Sequence, residues 1–183
     1  MFTRSERLFL RPAWPEDWEE LLARIGDKAV VRNLARAPWP YMAADAQAFA
    51  ARSQGGRYPN FLVTLPDATG AQVIGGAGLA RDGGTAELGY WIAPSHWGRG
   101  FATEAVRAVV RVARMLGHKR IVASHFTDNP ASGRVLRKAG FVPTGQVRKV
   151  HSLGRGGDVP AVAHALELEG GEPLMPVGEL CPA

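Results

Sequence analysis

The chain has 183 residues, of which 46% are hydrophobic and 21% charged, with a formal net charge of +5. At ~100–200 residues per domain this is one domain, and the composition excludes a disordered chain, a collagen-like repeat and a coiled coil. No apolar run approaches the ~18 residues needed to span a bilayer, the first residues carry no secretory apolar core, and the one cysteine, Cys181, cannot form an internal disulfide. The expected setting is therefore a reducing cytoplasm, with no membrane partner. The histidines are isolated in sequence and no Cys/His cluster has zinc spacing, so no metal is expected. The positive charge attracts anions. Arginine is spread along the chain without a basic block, which disfavours a nucleic-acid partner.

In chain order, Arg7 to Arg11 alternates as a first strand. Glu16 to Ile25 predicts a helix with Trp18, Leu21, Leu22 and Ile25 on one face. Asp27 is placed to cap a short second helix reaching about Ala35. Pro38 and Pro40 force a loop, and alanine-rich Ala43 to Arg52 predicts a third helix that Gly55 and Gly56 stop. Three strands follow, Tyr58 to Leu65, Gln72 to Ala80 and Thr85 to Ile92, joined by short turns as an antiparallel meander. The run Gly75-Gly76-Ala77-Gly78 marks either room for a ligand or a bulge.

Phe101 to Leu116 has the strongest helical periodicity, with Glu104, Arg107, Arg111 and Arg114 on the outer face and Gly117 at the C′ position. Ile121 to Phe126 is a strand, Pro130 to Ala139 a helix closed by Gly140, and about Thr144 to His151 and Val159 to Glu167 two further strands. The Pro- and Gly-rich residues 169–183 read as a tail beyond a domain of residues 1–168. The order predicts an α/β fold, a mixed sheet of about seven strands, mostly antiparallel, flanked by helices.

The chemistry concentrates where the third meander strand meets the long helix, in Trp97-Gly98-Arg99-Gly100-Phe101-Ala102-Thr103. The first N–H groups of a helix lack internal partners and, with the macrodipole, form an anion site. Gly98 and Gly100 let the backbone approach a phosphate, and Arg99 adds charge. A P-loop would need Lys-Ser/Thr where Phe101-Ala102 stand. A dinucleotide fingerprint would need Gly or Ala where Thr103 stands. A tight turn without ligand is the bland alternative.

This segment resembles motif A of the GNAT superfamily of acetyl-CoA-dependent N-acetyltransferases, Gln/Arg-x-x-Gly-x-Gly/Ala. Gly100 and Ala102 match its last two positions and Trp97 departs at the first. The version Trp-Gly-x-Gly-Phe-Ala-Thr-Glu-Ala is similar to the RimJ/RimL-like branch. A second block, Asn129 to Phe141, resembles the family's Asn-x-x-Ser-x-x-x-x-x-Lys-x-Gly-Phe, although Asn129 and Ser132 are also ordinary helix-cap residues. Arg4 to Pro12 looks like the branch's opening strand, and the resemblance covers about residues 3 to 168.

The resemblance implies a GNAT-like single domain with a splayed central strand pair, and acetyl-CoA as co-substrate. It implies that Gly98 to Thr103 hold the pyrophosphate, that Asn129 contacts the pantetheine arm, and that main-chain N–H groups near Trp91 and Ile92 polarise the thioester. Amide formation needs a neutral amine and hence a base. Glu87, amid apolar neighbours, is the candidate, with a salt bridge to an arginine as its structural alternative. Ser132 is the candidate donor to the leaving thiolate, with Tyr90 as a weaker one. An acetyl-cysteine route is disfavoured because Cys181 stands in the tail, which leaves direct attack in a ternary complex. The acceptor is a small-molecule or peptide amine, with Trp39, Tyr41, His151, Arg155 and Asp158 as candidate pocket residues. Homodimers are common in this branch. A non-catalytic acyl-CoA sensor of the same fold is the rival reading.

Overall fold

A computed structural model of the chain describes residues 1–52, 55–68 and 70–168. The tail read at 169–183, with Cys181, lies outside the described residues.

The stretch read as one strand over Arg7–Arg11 is part of a hairpin. The Ser5 N–H donates to the Leu8 carbonyl at 2.9 Å, so Thr3–Arg4 (β1) folds back on Phe9–Arg11 (β2). This extra strand makes an eight-stranded sheet among the described residues, where about seven were expected. After β2 come Trp18–Ile25 (α1), Lys28–Val31 (α2) and Ala43–Ala50 (α3). The Asp27 carboxylate accepts the Ala29 N–H at 2.7 Å and caps α2 as predicted. The helix stops at Val31 instead of reaching Ala35, because the Asn33 and Leu34 amides tighten onto the Val30 and Val31 carbonyls in 3₁₀ fashion.

The meander is Asn60–Asp67 (β3), Gly70–Asp82 (β4) and Thr85–Ile92 (β5). Phe101–Met115 (α4), Arg120–Phe126 (β6), Pro130–Lys138 (α5), Val142–Ser152 (β7) and Gly157–Glu167 (β8) complete the chain. The sheet order is β1-β2-β3-β4-β5-β6-β8-β7, and only β5 and β6 run parallel. Helix α4 makes that crossover. Both α4 and α5 end on a left-handed glycine, Gly117 and Gly140. The His118 and Phe141 amides beyond them reach back to Ala113 and Leu136, the Schellman pattern.

Strand alternation sends Leu88 and Ile92 to one sheet face and Trp91 to the other. The first face packs beneath α4, with Val106, Val109, Ile121 and Leu136 fully buried. The second packs against α1 and α3, around Leu21, Ala46 and Leu62. The glycine run on β4 leaves no room for a ligand. A Cβ at Gly76 would stand 2.7 Å from the Trp91 indole nitrogen, and one at Gly78 2.8 Å from the Pro59 carbonyl oxygen. The register slips beside the run, with Val63 opposite Gly75 and Thr64 opposite Val73, so Ile74 is the bulged residue.

One buried ion pair anchors β2 to the helical layer. Arg11 Nη1 and Nη2 each lie 2.7 Å from an Asp17 carboxylate oxygen, and both side chains are 11% exposed. The guanidinium also lies over the Trp14 ring at 4.1 Å. Burial alone would raise the Asp17 pKa, but hydrogen bonds from Arg11 and the Trp14 amide, with the Arg11 charge, bring it below the ordinary 3.8. Removing one partner of a buried pair costs about 3 kcal/mol or more, since the other charge is stranded. Asp17→Ala is expected to lose about that much in urea unfolding at pH 7. A lowered folded pKa means this stabilisation is present above the unfolded value and vanishes as pH falls through the folded one. The gap between wild type and variant should therefore close below pH ~4.

Candidate active site

Strands β5 and β6 pair only at Ala86–Ile121 and Glu87–Val122. Beyond Glu87, β5 continues on β4 to Ile92, while β6 continues on β8 to Phe126. The strands therefore part, as expected of a splayed central pair, and a cleft of about 420 Å³ is lined by the end of β5, the head of α4 and α5. All the residues predicted for catalysis or carrier binding line it except Glu87 and Arg99.

Ladder alternation decides which main-chain groups face the gap. The Ala93 N–H donates to the Ile74 carbonyl on β4. By the alternation of an antiparallel ladder, the amides of Gly89 and Trp91 also face β4, and those of Tyr90 and Ile92 face the cleft. The expectation of a paired Trp91 and Ile92 donor set is corrected to Tyr90 and Ile92. Trp91 contributes its side chain instead.

At the head of the cleft, Gly98 and Gly100 have φ of 74° and 82°, values a side chain makes costly. Nothing lies within 4 Å of where a Gly98 Cβ would be, and only Arg7 Nη2, at 3.5 Å, near that of Gly100. The first intrahelical bond of α4 runs from the Glu104 N–H to the Gly100 carbonyl. The amides of Phe101, Ala102 and Thr103 thus open the helix with no acceptor among the described residues. A short 3₁₀ turn at Pro94–His96, absent from the sequence reading, leads into this corner. The Trp97 indole N–H donates to the Ile92 carbonyl at 2.6 Å. That bond ties the end of β5 to the turn and gives the departure at position 97 a structural role. Arg99 stands aside from the cleft, its guanidinium 4.8 Å from the Phe101 ring centroid.

Glu104 does not face solvent, as its helical position suggested. Its carboxylate accepts from Ser5 Oγ at 2.8 Å, from the Arg7 amide at 2.7 Å and from the Arg7 guanidinium. Burial would raise its pKa, but these donors and the Arg7 charge hold it low.

On the far wall, the Tyr90 and Ser132 hydroxyls are 2.5 Å apart. Burial pushes the Tyr90 phenol up to about 12, with the Ser132 hydrogen bond pulling the other way. The Asn129 side chain accepts the Ser132 amide at 3.3 Å, so it caps α5 while lining the cleft. Glu87 lies at the vertex where the strands part, paired with Arg36 at 2.7 Å. Arg36 is 67% exposed, and such a partner holds weakly.

The opening beside Ser132 is lined by Val30, Asn33 and Leu34, which no sequence motif marked. Of the residues read as an acceptor pocket, none lines the cleft. His151 pairs with Asp158 at 3.0 Å across the β7–β8 ladder. Tyr41 packs into the second core cluster, and Trp39 faces the Lys28 ammonium at 5.9 Å. Arg155 instead builds a clasp. Its guanidinium holds both Asp128 carboxylate oxygens, at 2.8 and 2.9 Å, and its Nε donates to the Arg32 carbonyl at 2.6 Å. Arg32 binds the same carboxylate at 3.0 Å. The hydrogen bonds from Arg155, foremost, and the two guanidinium charges hold the Asp128 pKa low. The α2 end, the β6–α5 loop and the β7–β8 turn meet there.

A family model described as an acetyltransferase (GNAT) domain matches residues 7–142. The chain is 35% identical over 152 residues to the uncharacterized N-acetyltransferase YoaA of Bacillus subtilis (strain 168), covering 79% of this chain and 85% of that protein. A GNAT-family acetyltransferase from Bacillus anthracis superposes with a TM-score of 0.78 at 25% identity, over 91% of this chain and 98% of that one. RimL, the ribosomal L7/L12 alpha-N-protein acetyltransferase, solved with coenzyme A, superposes with a TM-score of 0.76 at 19% identity, over 93% and 100% of the two chains. Among the described residues, no group of His, Cys, Asp and Glu is arranged to hold a metal ion, and no helix is long and apolar enough to cross a membrane.

The Asp128 clasp gives a direct check on the site. Because Asp128 is 44% exposed, Asp128→Asn is expected to cost under about 1 kcal/mol of global stability. Its effect should be local. The Leu153 amide, bonded to the Ala35 carbonyl, should exchange its hydrogen about tenfold faster once the turn is released.

Proposed function

The chain belongs to the GNAT acetyltransferase family, and from that premise we propose that it is an acetyl-CoA-dependent N-acetyltransferase acting on a primary amine, either a protein N-terminus or a small molecule. The observation that carries this reading is the set of unengaged amides at Phe101, Ala102 and Thr103 behind left-handed Gly100, at the head of a cleft that ends on Ser132. A diphosphate supplies acceptors for those donors and is favoured by the helix dipole. The carrier's arm then runs down the gap past Asn129, against the Ile92 and Tyr90 amides, and places the acetyl carbonyl where the strands part. Those fixed dipoles stabilise negative charge as it develops on the carbonyl oxygen.

The acceptor approaches past Val30, Asn33 and Leu34. Its amine is mostly protonated at neutral pH, at ~8 for an α-amino group and ~10.4 for lysine. Glu87 accepts that proton through water, since it lies outside the cleft lining, and Arg36 swings off its exposed side. The neutral amine attacks directly in a ternary complex. The C–S bond breaks as the C–N bond forms, the electron pair leaves on sulfur, and the proton that the nitrogen sheds on becoming an amide passes to water. A thiolate near ~8.5 is a far weaker base than a phenolate whose acid has a pKa of about 12. The Tyr90–Ser132 pair therefore stabilises the thiolate by hydrogen bonding, without full proton transfer.

The test is thiol release from acetyl-CoA with a panel of amines and N-terminal peptides. Acceptor-dependent thiol supports the reading, and tight CoA binding with no such thiol supports the sensor alternative. Glu87→Gln is expected to lower kcat by ~10²-fold or more at neutral pH, with partial recovery at high pH, where the amine sheds its own proton. An unchanged pH–rate profile would remove Glu87 as the base. Gly100→Val forces a branched side chain into a left-handed position and into the approach to the amides. Calorimetry should show CoA binding weakened at least tenfold.

A further inference from the structure

The loop that follows α2 has a fixed backbone and a movable charge. Its carbonyls at Arg32, Leu34 and Ala35 accept from Arg155 Nε at 2.6 Å, the Ser152 hydroxyl at 3.1 Å and the Leu153 amide at 2.9 Å. The β7–β8 turn packs so closely against the loop that a Cβ at Gly154 would stand 2.7 Å from Val31 Cγ1 and 3.0 Å from the Ala37 carbonyl oxygen. The backbone on both sides of Arg36 is therefore held. The Arg36 side chain itself is 67% exposed, and its Nη2 lies 2.7 Å from Glu87 Oε2. Among the described residues that is its one ion pair. The nearby carboxylates are taken, Asp128 by Arg32 and Arg155 together and Asp158 by His151. Leu34, two residues before Arg36, lines the opening beside Ser132 by which the acceptor enters. When Glu87 turns to an incoming ammonium, Arg36 loses its anion just as a second positive charge arrives.

We propose that the acceptor brings the missing anion with it: it is an amine of the α-amino acid type, and Arg36 is the residue that selects it. The inference rests on the acetyl-CoA reading above and on Glu87 as the base. The ammonium faces Glu87 through water, and the carboxylate takes the guanidinium that Glu87 gives up, in the two-pronged geometry arginine favours. Because Arg36 is exposed, releasing Glu87 costs little, and one ion pair is exchanged for two. A simple alkylamine leaves Arg36 unpaired beside a like charge. A polyamine brings further positive charges against Arg32, Arg36 and Arg155. Selection thus works by repelling the wrong acceptor as well as by holding the right one. A peptide N-terminus has an amide where the amino acid has its carboxylate, and gains no such pairing. In the transfer, the C–S bond breaks and the C–N bond forms, with the electron pair left on sulfur. Of the two protons that the nitrogen loses, one goes to Glu87 and one to water. The N-acetylamino acid keeps its carboxylate but has lost its positive charge, so its hold on Glu87 is gone. Once Glu87 has passed its proton to solvent, it takes Arg36 back and the product leaves.

The test is steady-state thiol release from acetyl-CoA with a set of amino acids, each matched to its α-carboxamide and its decarboxylated amine, with spermidine and a neutral tripeptide amide alongside. The best amino acid is expected to exceed its carboxamide in kcat/KM by at least about tenfold, the size of one charge-assisted hydrogen bond. The carboxamide's amine is the less basic of the two and sheds its proton more readily, so amine basicity works against that result. In Arg36→Gln the ratio should fall toward one, chiefly through a raised KM for the amino acid, and Arg36→Lys should restore part of it. Calorimetry showing the same CoA affinity in wild type and variants establishes that the variants are folded. Acceptor-dependent thiol with equal values for acid and carboxamide, or with spermidine or the tripeptide amide ahead of every amino acid, overturns this inference and leaves the acetyl-transfer reading standing. A preference for the amino acid that persists undiminished in Arg36→Gln overturns the role of Arg36. CoA binding without thiol release for any amine in the set overturns the transfer reading and this inference with it.

Discussion

Two residue pairs, Ala86–Ile121 and Glu87–Val122, join the two halves of the sheet. Everything that resembles a site follows from how soon that pairing ends. Because β5 stays on β4 and β6 stays on β8, each half remains fully laddered while the interior edge between them is left open. An open edge exposes main-chain donors that a continuous sheet would consume. Trp97 pins the Ile92 carbonyl at the wide end, and the Tyr90–Ser132 hydroxyl contact spans from β5 to the start of α5.

A second constraint fixes the head of the cleft. The Glu104 carboxylate gathers donors from Ser5 and Arg7, so the N-terminal hairpin is fastened to the first turn of α4. The Arg7 guanidinium goes on to the Arg99 carbonyl at 3.2 Å and lies 4.5 Å from the Phe101 ring centroid. These contacts hold the turn from outside and leave its inward amides unoccupied. The motif's acidic residue thus acts as a structural tie between the opening hairpin and the long helix.

What the sequence made legible was local. Helix α4 reads from its 3.6-residue stripe, and its start reads from two glycines at fixed spacing, because those rules involve only near neighbours. The parting of β5 and β6 was legible only through family resemblance. The features that escaped depend on long-range partners. Nothing in Thr3–Arg4 announces a strand until Phe9–Arg11 is there to pair with it. Glu104 reads as solvent-facing until Ser5 and Arg7 are folded over it. The wall formed by Val30, Asn33 and Leu34 carries no chemical signature, since its role comes from where α2 stops. The facing of the Trp91 amide toward β4 is a matter of strand parity, which one residue of offset reverses.

The clasp around Asp128 joins parts of the chain made at very different times. The Ser152 hydroxyl serves the Leu34 carbonyl across 118 positions, and the Arg155 side chain serves the Arg32 carbonyl across 123. A ribosome adding ~5–20 residues per second needs roughly 6–24 s to cover that span. Throughout that interval the segment after α2 is on the nascent chain without the hairpin that completes it. The wall beside Ser132 is therefore among the last parts of the domain to acquire its final shape during synthesis.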